Sequence, residues 1–204
     1  MMYQKLIVPV DNGNPNMITE NTVFTSGLVE SDCKPVLGDY LYNKKRYYSL
    51  TDQRIPYMRD SVVIADLGGF TFDYLLLRSG KPDLSVCDSL EKGIIRLHNN
   101  IISRINSEYD VLLESSDIDR IIKNEKTDYE EAVVRTVREM TKTYVDDLLG
   151  NLRERGIDLK SVCIVFIGGG ALLLKEYLEN SGKLGKYIFI EDVCANAKGY
   201  KMLY

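Results

Sequence analysis

Ser61-Val62-Val63-Ile64-Ala65-Asp66-Leu67-Gly68-Gly69-Phe70-Thr71-Phe72-Asp73 decides the reading of this chain. An apolar, β-branched run enters a two-glycine turn and a second strand-like run leaves it, so the stretch reads as a β-hairpin. Gly68 and Gly69 lack Cβ atoms, which lets the turn take positive φ and aim backbone amides at phosphate oxygens. Asp66, at the end of the first strand, suits Mg²⁺ rather than the anion itself, because a carboxylate beside a polyphosphate needs a cation between them. Mg²⁺ keeps several waters and takes few protein ligands. Turns of this kind also join strands in folds that bind nothing, so the hairpin has to be weighed with the rest of the chain.

At 204 residues and 45% hydrophobic content the chain can bury a substantial core in one or two compact domains. The formal charge is −4 and the cations are dispersed, which argues against direct binding to a nucleic-acid backbone. No apolar run reaches bilayer length, and Met1-Met2-Tyr3-Gln4-Lys5 leads into a strand, so a cytoplasmic protein without a membrane partner is expected. Cys33, Cys87, Cys163 and Cys194 are spread out, as reduced and separately packed thiols would be. His98 is the single histidine and reads as a helix-face residue, which leaves little material for histidine-based catalysis or metal binding.

Tyr3 to Val10 is a short apolar run ending in Asp11-Asn12-Gly13-Asn14-Pro15-Asn16, and a strand-like pattern resumes from Met17 to Thr25. Asn-Gly is a hairpin signal. Cys33 to Leu50 adds short strands, among them Asp39 to Tyr42 and Arg46 to Tyr48. A second meander follows over Val62 to Ala65, Phe72 to Arg78 and Leu84 to Val86. Asp88-Ser89-Leu90-Glu91 fits a capping box, with Leu90, Ile94, Leu97, Ile101 and Ile105 at helical spacing after it. Ser116 to Lys123 predicts a short helix. A long helix opens at Thr127 or Asp128 and closes at Gly156, with Val133, Val137, Met140, Tyr144, Leu148 and Leu152 on one face. Val162 to Ile167 reads as a strand covered on both faces. Gly168-Gly169-Gly170-Ala171 then leads into a helix through Leu174, Tyr177 and Leu178, a place where a ligand can approach the backbone. Tyr187 to Ile190 predicts a last strand and Asp192 to Leu203 a last helix.

Three glycine turns therefore stand in order: Asp11-Asn12-Gly13, Asp66-Leu67-Gly68-Gly69 and Gly168-Gly169-Gly170. Two acidic hairpins facing each other can clamp a Mg-nucleotide phosphate chain, while a third loop closes on the adenosine. The arrangement resembles the actin, Hsp70 and sugar kinase superfamily, and within it the ParM-like bacterial actins that segregate plasmids. The resemblance rests on Val10 to Met17, Thr25-Ser26-Gly27-Leu28, Asp66 to Asp73, Gly93-Ile94-Ile95-Arg96-Leu97, Phe166 to Leu174 and Ala195 to Tyr200. It implies an α/β, ribonuclease H-like actin-type ATPase fold. It also implies a partial first domain over 1–60, a near-complete second domain over 61–190, and a C-terminal helix over 191–204 returning toward the first. By resemblance, Asp11 and Asp66 hold Mg²⁺ mainly through its waters. Asn12, Gly13, Asn14, Gly68, Gly69, Phe70 and Thr71 meet the phosphates of ATP or ADP, and Gly168, Gly169 and Gly170 lie against ribose and adenine. Self-association and a DNA-binding adaptor protein are the partners the resemblance implies.

The chain departs from that family at Tyr57-Met58-Arg59-Asp60, which runs directly into the strand at Ser61. The family places further helices and strands there, together with the glutamate or glutamine that orients the attacking water. Neither Glu30 nor Asp60 has a context that supports this role. Positioning is most of what such an enzyme contributes to phosphoryl transfer, so nucleotide binding is better supported by the sequence than turnover, and no catalytic residue is assigned. A non-catalytic actin-like association module is the alternative. A sugar kinase is disfavoured, because the regions that build a sugar pocket are missing.

Overall fold

The computed structural model describes residues 10–11, 16–19, 23–25, 61–79 and 81–192. The chain divides into two units, residues 1–56 with 192–204, and residues 57–191. In the first unit β1 (Val10–Asp11), β2 (Asn16–Thr19) and β3 (Val23–Thr25) form an antiparallel meander, with Val10 opposite Thr19 and Met17 opposite Phe24. The run from Met17 to Thr25 is thus two strands, with the polar Glu20-Asn21-Thr22 between them in sequence. The strands expected within 3–9 and 33–50 and the helix expected after Asp192 lie outside the described residues.

The second unit opens with β4 (Ser61–Leu67) and β5 (Phe72–Arg78), paired antiparallel along their whole length. β6 (Lys81–Pro82) and β7 (Asp88–Leu90) both pair with the outer edge of β5. Three helices follow: α1 (Ile94–Tyr109), α2 (Ser115–Ile122) and α3 (Glu131–Glu154). The chain then returns through β8 (Cys163–Ile167), α4 (Gly169–Leu173), α5 (Lys175–Glu179) and β9 (Lys186–Phe189). The sheet order is β6-β5-β4-β8-β9, with β8 parallel to both β4 and β9. Both crossovers step in the same direction along the sheet, and α1 to α5 all contribute residues to one buried cluster. The core follows from this. Val63, Ala65, Leu67, Phe72, Tyr74, Leu76, Ile164 and Phe166 meet Ile101 and Ile105 of α1, Ile118 of α2 and Leu149 and Leu152 of α3 in one buried cluster. All five residues of β8 are buried, as its continuous apolar sequence predicts.

Three expectations for this unit are corrected. Leu84 to Val86 is not a strand. Asp83 takes hydrogen bonds from Arg78 Nε (2.8 Å), Ser85 Oγ (2.6 Å) and Ser85 N (3.2 Å), which folds the segment into a side-chain-closed turn and leaves Leu84 58% exposed. The capping box at Asp88 is also not formed, because Asp88, Ser89 and Leu90 pair with Tyr74, Asp73 and Phe72 instead. The helix begins only at Ile94, with Gly93 as its N-cap. α3 likewise starts at Glu131, later than Thr127 or Asp128. Its end is as expected: Gly156 has φ +81° and donates to the Arg153 carbonyl at 2.9 Å. His98 sits on the buried face of α1, with Nε2 at 3.0 Å from Asp119 Oδ1 of α2.

Tyr144 ties α3 to the entrance of α1, its hydroxyl donating to the Lys92 carbonyl. Burial raises its pKa above the ordinary value of 10.0. A proton held more tightly in the folded chain than in the unfolded one stabilises the fold fully below the unfolded value. That contribution is lost as pH rises above it. Alkaline titration followed by circular dichroism is therefore expected to show stability falling above about pH 10, and Tyr144→Phe is expected to reduce that dependence. The same variant leaves the Lys92 carbonyl without its donor, at a cost of about 1 kcal/mol at neutral pH.

Candidate functional site

β4 and β8 are parallel neighbours, with Asp66 opposite Ile167, so the turn after Leu67 and the turn after Ile167 leave the sheet at the same edge. Gly168 has φ +90°, and a Cβ built on it would stand 2.5 Å from Asp66 Oδ1 and 2.6 Å from the Leu67 carbonyl. The Asp66 carboxylate therefore lies directly against the Gly168 backbone. Gly170 is excluded from carrying a side chain by Ile94 Cγ1 (2.5 Å) and by Leu67 Cγ and carbonyl oxygen (2.8 Å each). The two glycine loops and the start of α1 form one close-packed junction.

That junction fixes the orientation of the hairpin turn. Gly93 N donates to the Phe70 carbonyl (2.8 Å), Ile94 N to Gly68 (3.1 Å) and Ile95 N to Gly69 (3.0 Å), while Gly68 N closes the turn on Thr71 (3.0 Å). Three consecutive turn carbonyls thus point at the amino end of α1 and satisfy donors that a helix otherwise leaves unpaired. In a trans peptide the N–H points opposite to the C=O of the same unit. The amides of Gly69, Phe70 and Thr71 therefore face away from the helix. The N-terminus of α1 is spent on the turn, so an anion at this edge would meet the turn amides, in the manner of a backbone nest.

The hairpin register also places Asp66 directly opposite Asp73. Thr71 Oγ1 donates to Asp73 Oδ2 at 2.7 Å. Like charges opposed across two strands are unfavourable by themselves, and a cation beside them reverses the sign. Among the described residues no three His, Cys, Asp or Glu side chains assemble into a metal cage. One or two carboxylates beside an anion cradle fit a Mg²⁺ held chiefly by water and phosphate. Phe70, between the second glycine and Thr71, is 58% exposed.

The structure thus brings together Asp66, Gly68, Gly69, Phe70, Thr71, Gly168, Gly169 and Gly170, all named from the sequence. Asp11 ends β1 in the other unit, and Asn12, Gly13 and Asn14 lie outside the described residues. Two contributors carried no assigned role in the sequence reading. Gly93 admits no Cβ because the Gly69 carbonyl and the Phe70 backbone occupy the space. Asp73 stands two residues after the Gly68–Thr71 turn, as Asp66 stands two before it, a symmetry that only the register reveals.

Residues 64–180, more than half of the chain, match the family described as archaeal actin homologue MreB-like, C-terminal. The chain belongs to this family of archaeal MreB-like actin homologues. Its fold is accordingly the actin-type, ribonuclease H-like fold of the actin and ATPase superfamily. Solved structures agree on that fold. An archaeal actin homolog, Ta0583, superposes with a TM-score of 0.55 at 19% identity over 71% of this chain and 48% of its own. Its complex with ADP gives 0.53 at 21% identity, over 71% and 49%. A subunit of a 15-stranded ParM filament from Clostridium botulinum gives 0.58 at 15% identity, over 91% and 57%. The chain spans about half the length of these solved actin homologues. No curated protein matches it. No helix among the described residues is long and apolar enough to cross a membrane.

Proposed function

We propose that this actin homologue binds Mg-ATP and Mg-ADP at the glycine-loop edge of its second unit and self-associates as a filament subunit. The observation that carries the reading is the turn of Gly68 to Thr71, whose carbonyls are tied to α1 so that its amides face outward, beside the Asp66 carboxylate. The amides of Gly69, Phe70 and Thr71 take the phosphates. Asp66 would hold a Mg²⁺ ion through its waters, and the ion would supply neutralisation of the phosphate charge. Gly168, Gly169 and Gly170 give ribose and adenine an approach without side chains. Asp11, Asn12, Gly13 and Asn14 are proposed as further metal and phosphate contacts on their sequence motif alone.

The finer assignment is a ParM-like role in plasmid segregation, with a DNA-binding adaptor as second partner and the cytoplasm as the place of action. It rests on the motifs of the sequence and is supported at the level of fold by the likeness to the botulinum filament subunit. A second reading, a non-catalytic association module, is favoured by one observation: Tyr57-Met58-Arg59-Asp60 runs directly into the strand at Ser61, where the resembling actins carry the stretch with their water-positioning residue. Phosphate release measured alongside pelleting separates the two. Release above background that rises with polymer supports an ATPase filament. Pelleting that is indifferent to nucleotide, with no release, supports the module.

A further inference from the structure

The two edges of the sheet in the second unit are built differently. One edge is closed by the short strands β6 and β7, with Pro82 in β6 and the Asp83 turn between them. Short strands and proline keep an edge from pairing with another chain. The other edge is β9, which among the described residues pairs with β8 alone, in an unbroken register and without proline or glycine. Ile190 N donates to the Phe166 carbonyl at 2.9 Å. Backbone groups alternate along a strand, so those of Lys186 and Ile188 also face β8, while the N–H and C=O of Tyr187 and Phe189 face outward.

The side chains of this edge suit a strand of the same sequence. On the helix face Phe189 stacks on Phe166 with ring centroids 5.0 Å apart, and Tyr187 meets Phe189 edge-on at 5.9 Å. Tyr187 is 37% exposed, so the aromatic row runs out to the open edge. Charge is graded along the strand. Before it, Arg153, Lys160 and Lys183 line a cavity of about 520 Å³ with Asp158 as the one carboxylate in its lining, and Lys186 opens β9. Asp146, at 2.7 Å from Lys183 Nζ, is a second carboxylate there. After the strand come Glu191 and Asp192, and Lys175, which bridges Glu191 at 2.9 Å, also has Glu179 beside it. A strand with a basic start and an acidic end opposes unlike charges across a second copy that runs antiparallel, and like charges across one that runs parallel.

We propose that β9 pairs with β9 of a second copy of this chain, antiparallel about a two-fold axis through Ile188, so that the two sheets continue as one. Tyr187 of each copy lies opposite Phe189 of the other and exchanges both backbone hydrogen bonds with it, which uses every outward group of these two residues. The aromatic rows of the two copies meet there, and Ile188 meets its own counterpart on the other face of the sheet. The basic start of each strand lies beside the acidic end of the other. A contact of this kind is isologous and closes as a dimer. It rests on the self-association proposed above and names its surface. It uses no residue of the glycine loops, so it forms without nucleotide.

Two readouts on the full chain without nucleotide test the pairing. In sedimentation velocity over a concentration series the wild type is expected to dimerise, more weakly at high salt. Tyr187→Pro removes an outward N–H and leaves the ladder to β8 intact. Its circular dichroism melt should therefore match the wild type, while the dimer dissociation constant rises at least about tenfold. Oxidative cross-linking reads the register. Across the two-fold axis the Cα atoms of Ile188 stand about 4.5 Å apart, as in any non-hydrogen-bonded pair, within reach of a disulfide. The two copies of residue 187 are roughly 8 Å apart and out of reach. Ile188→Cys is expected to give covalent dimers at least about tenfold faster than Tyr187→Cys, with the wild type as control for its own cysteines and the linked peptide identified by mass spectrometry. Wild-type dimers that Tyr187→Pro leaves undiminished, or equal cross-linking at the two positions, would overturn this edge and leave self-association to another surface. A wild type that stays monomeric with and without Mg-ATP would overturn both, and leaves nucleotide binding, measured by calorimetry, to stand or fall by itself.

Discussion

Gly93→Ala is expected to destabilise the second unit by about 3 kcal/mol, because the added methyl group collides with backbone rather than with a movable side chain. The atoms it would meet are the Gly69 carbonyl and the carbonyl carbon of Phe70, the same peptide units that accept hydrogen bonds from Gly93 and Ile95. Neither side can withdraw without breaking the tie between turn and helix. For a unit of this size the loss corresponds to a fall in melting temperature on the order of 10 °C. Gly150→Ala supplies the control: Gly150 lies within α3, and a methyl group added there would have no other atom within 4 Å outside its own stretch of helix. Replacing a helical glycine there is expected to be neutral or to stabilise by about 0.5–1 kcal/mol. Thermal melts of both variants beside the wild type check the contrast. Equal melting temperatures would mean that the turn is not fastened to α1 as described.

The second large effect is expected at Asp66. Asp66→Ala removes the carboxylate that stands opposite Asp73 and against Gly168, while Leu67 and the turn hydrogen bonds behind it are unchanged. The fold should therefore persist, and Mg-nucleotide affinity should fall about 100-fold, the upper end of what loss of a carboxylate partner to a metal's ligands costs. The loss should be far smaller for nucleotide measured in excess chelator, because without the cation the carboxylate repels the phosphates. Competition with a fluorescent nucleotide, with and without Mg²⁺, reads both numbers. Equal losses in the two conditions would indicate a general disturbance of the turn instead of a cation-mediated role.

The hairpin and the loop after β8 were legible in the sequence because glycines interrupt apolar strands so sharply that few alternatives remain. β8 itself, Cys163 to Ile167, declares burial on both faces by having no polar residue. The segment from Asp83 to Gly93 was not legible, for a definite physical reason. Asp88-Ser89-Leu90-Glu91 satisfies a local helix-start pattern, yet its backbone is claimed by a distant strand, and the true start of α1 is set by the carbonyls of Gly68, Gly69 and Phe70. Non-local acceptors leave no trace in local spacing. Leu84 to Val86 looked like a strand by composition and was overruled by the Asp83 side chain, which hydrogen-bonds forward to Ser85 and back to Arg78. The opposition of Asp66 and Asp73 follows from the register, which depends on the number of turn residues, and that number is fixed only once Gly68 N is seen to reach the Thr71 carbonyl.

Titration calorimetry of Mg-ATP and Mg-ADP into the folded full chain, repeated with Mg²⁺ chelated, tests the central claim most directly. Saturable binding of one nucleotide per chain that weakens strongly on chelation is the predicted result. A well-folded chain that gives no binding heat with either nucleotide, or one whose binding is indifferent to Mg²⁺, would contradict it.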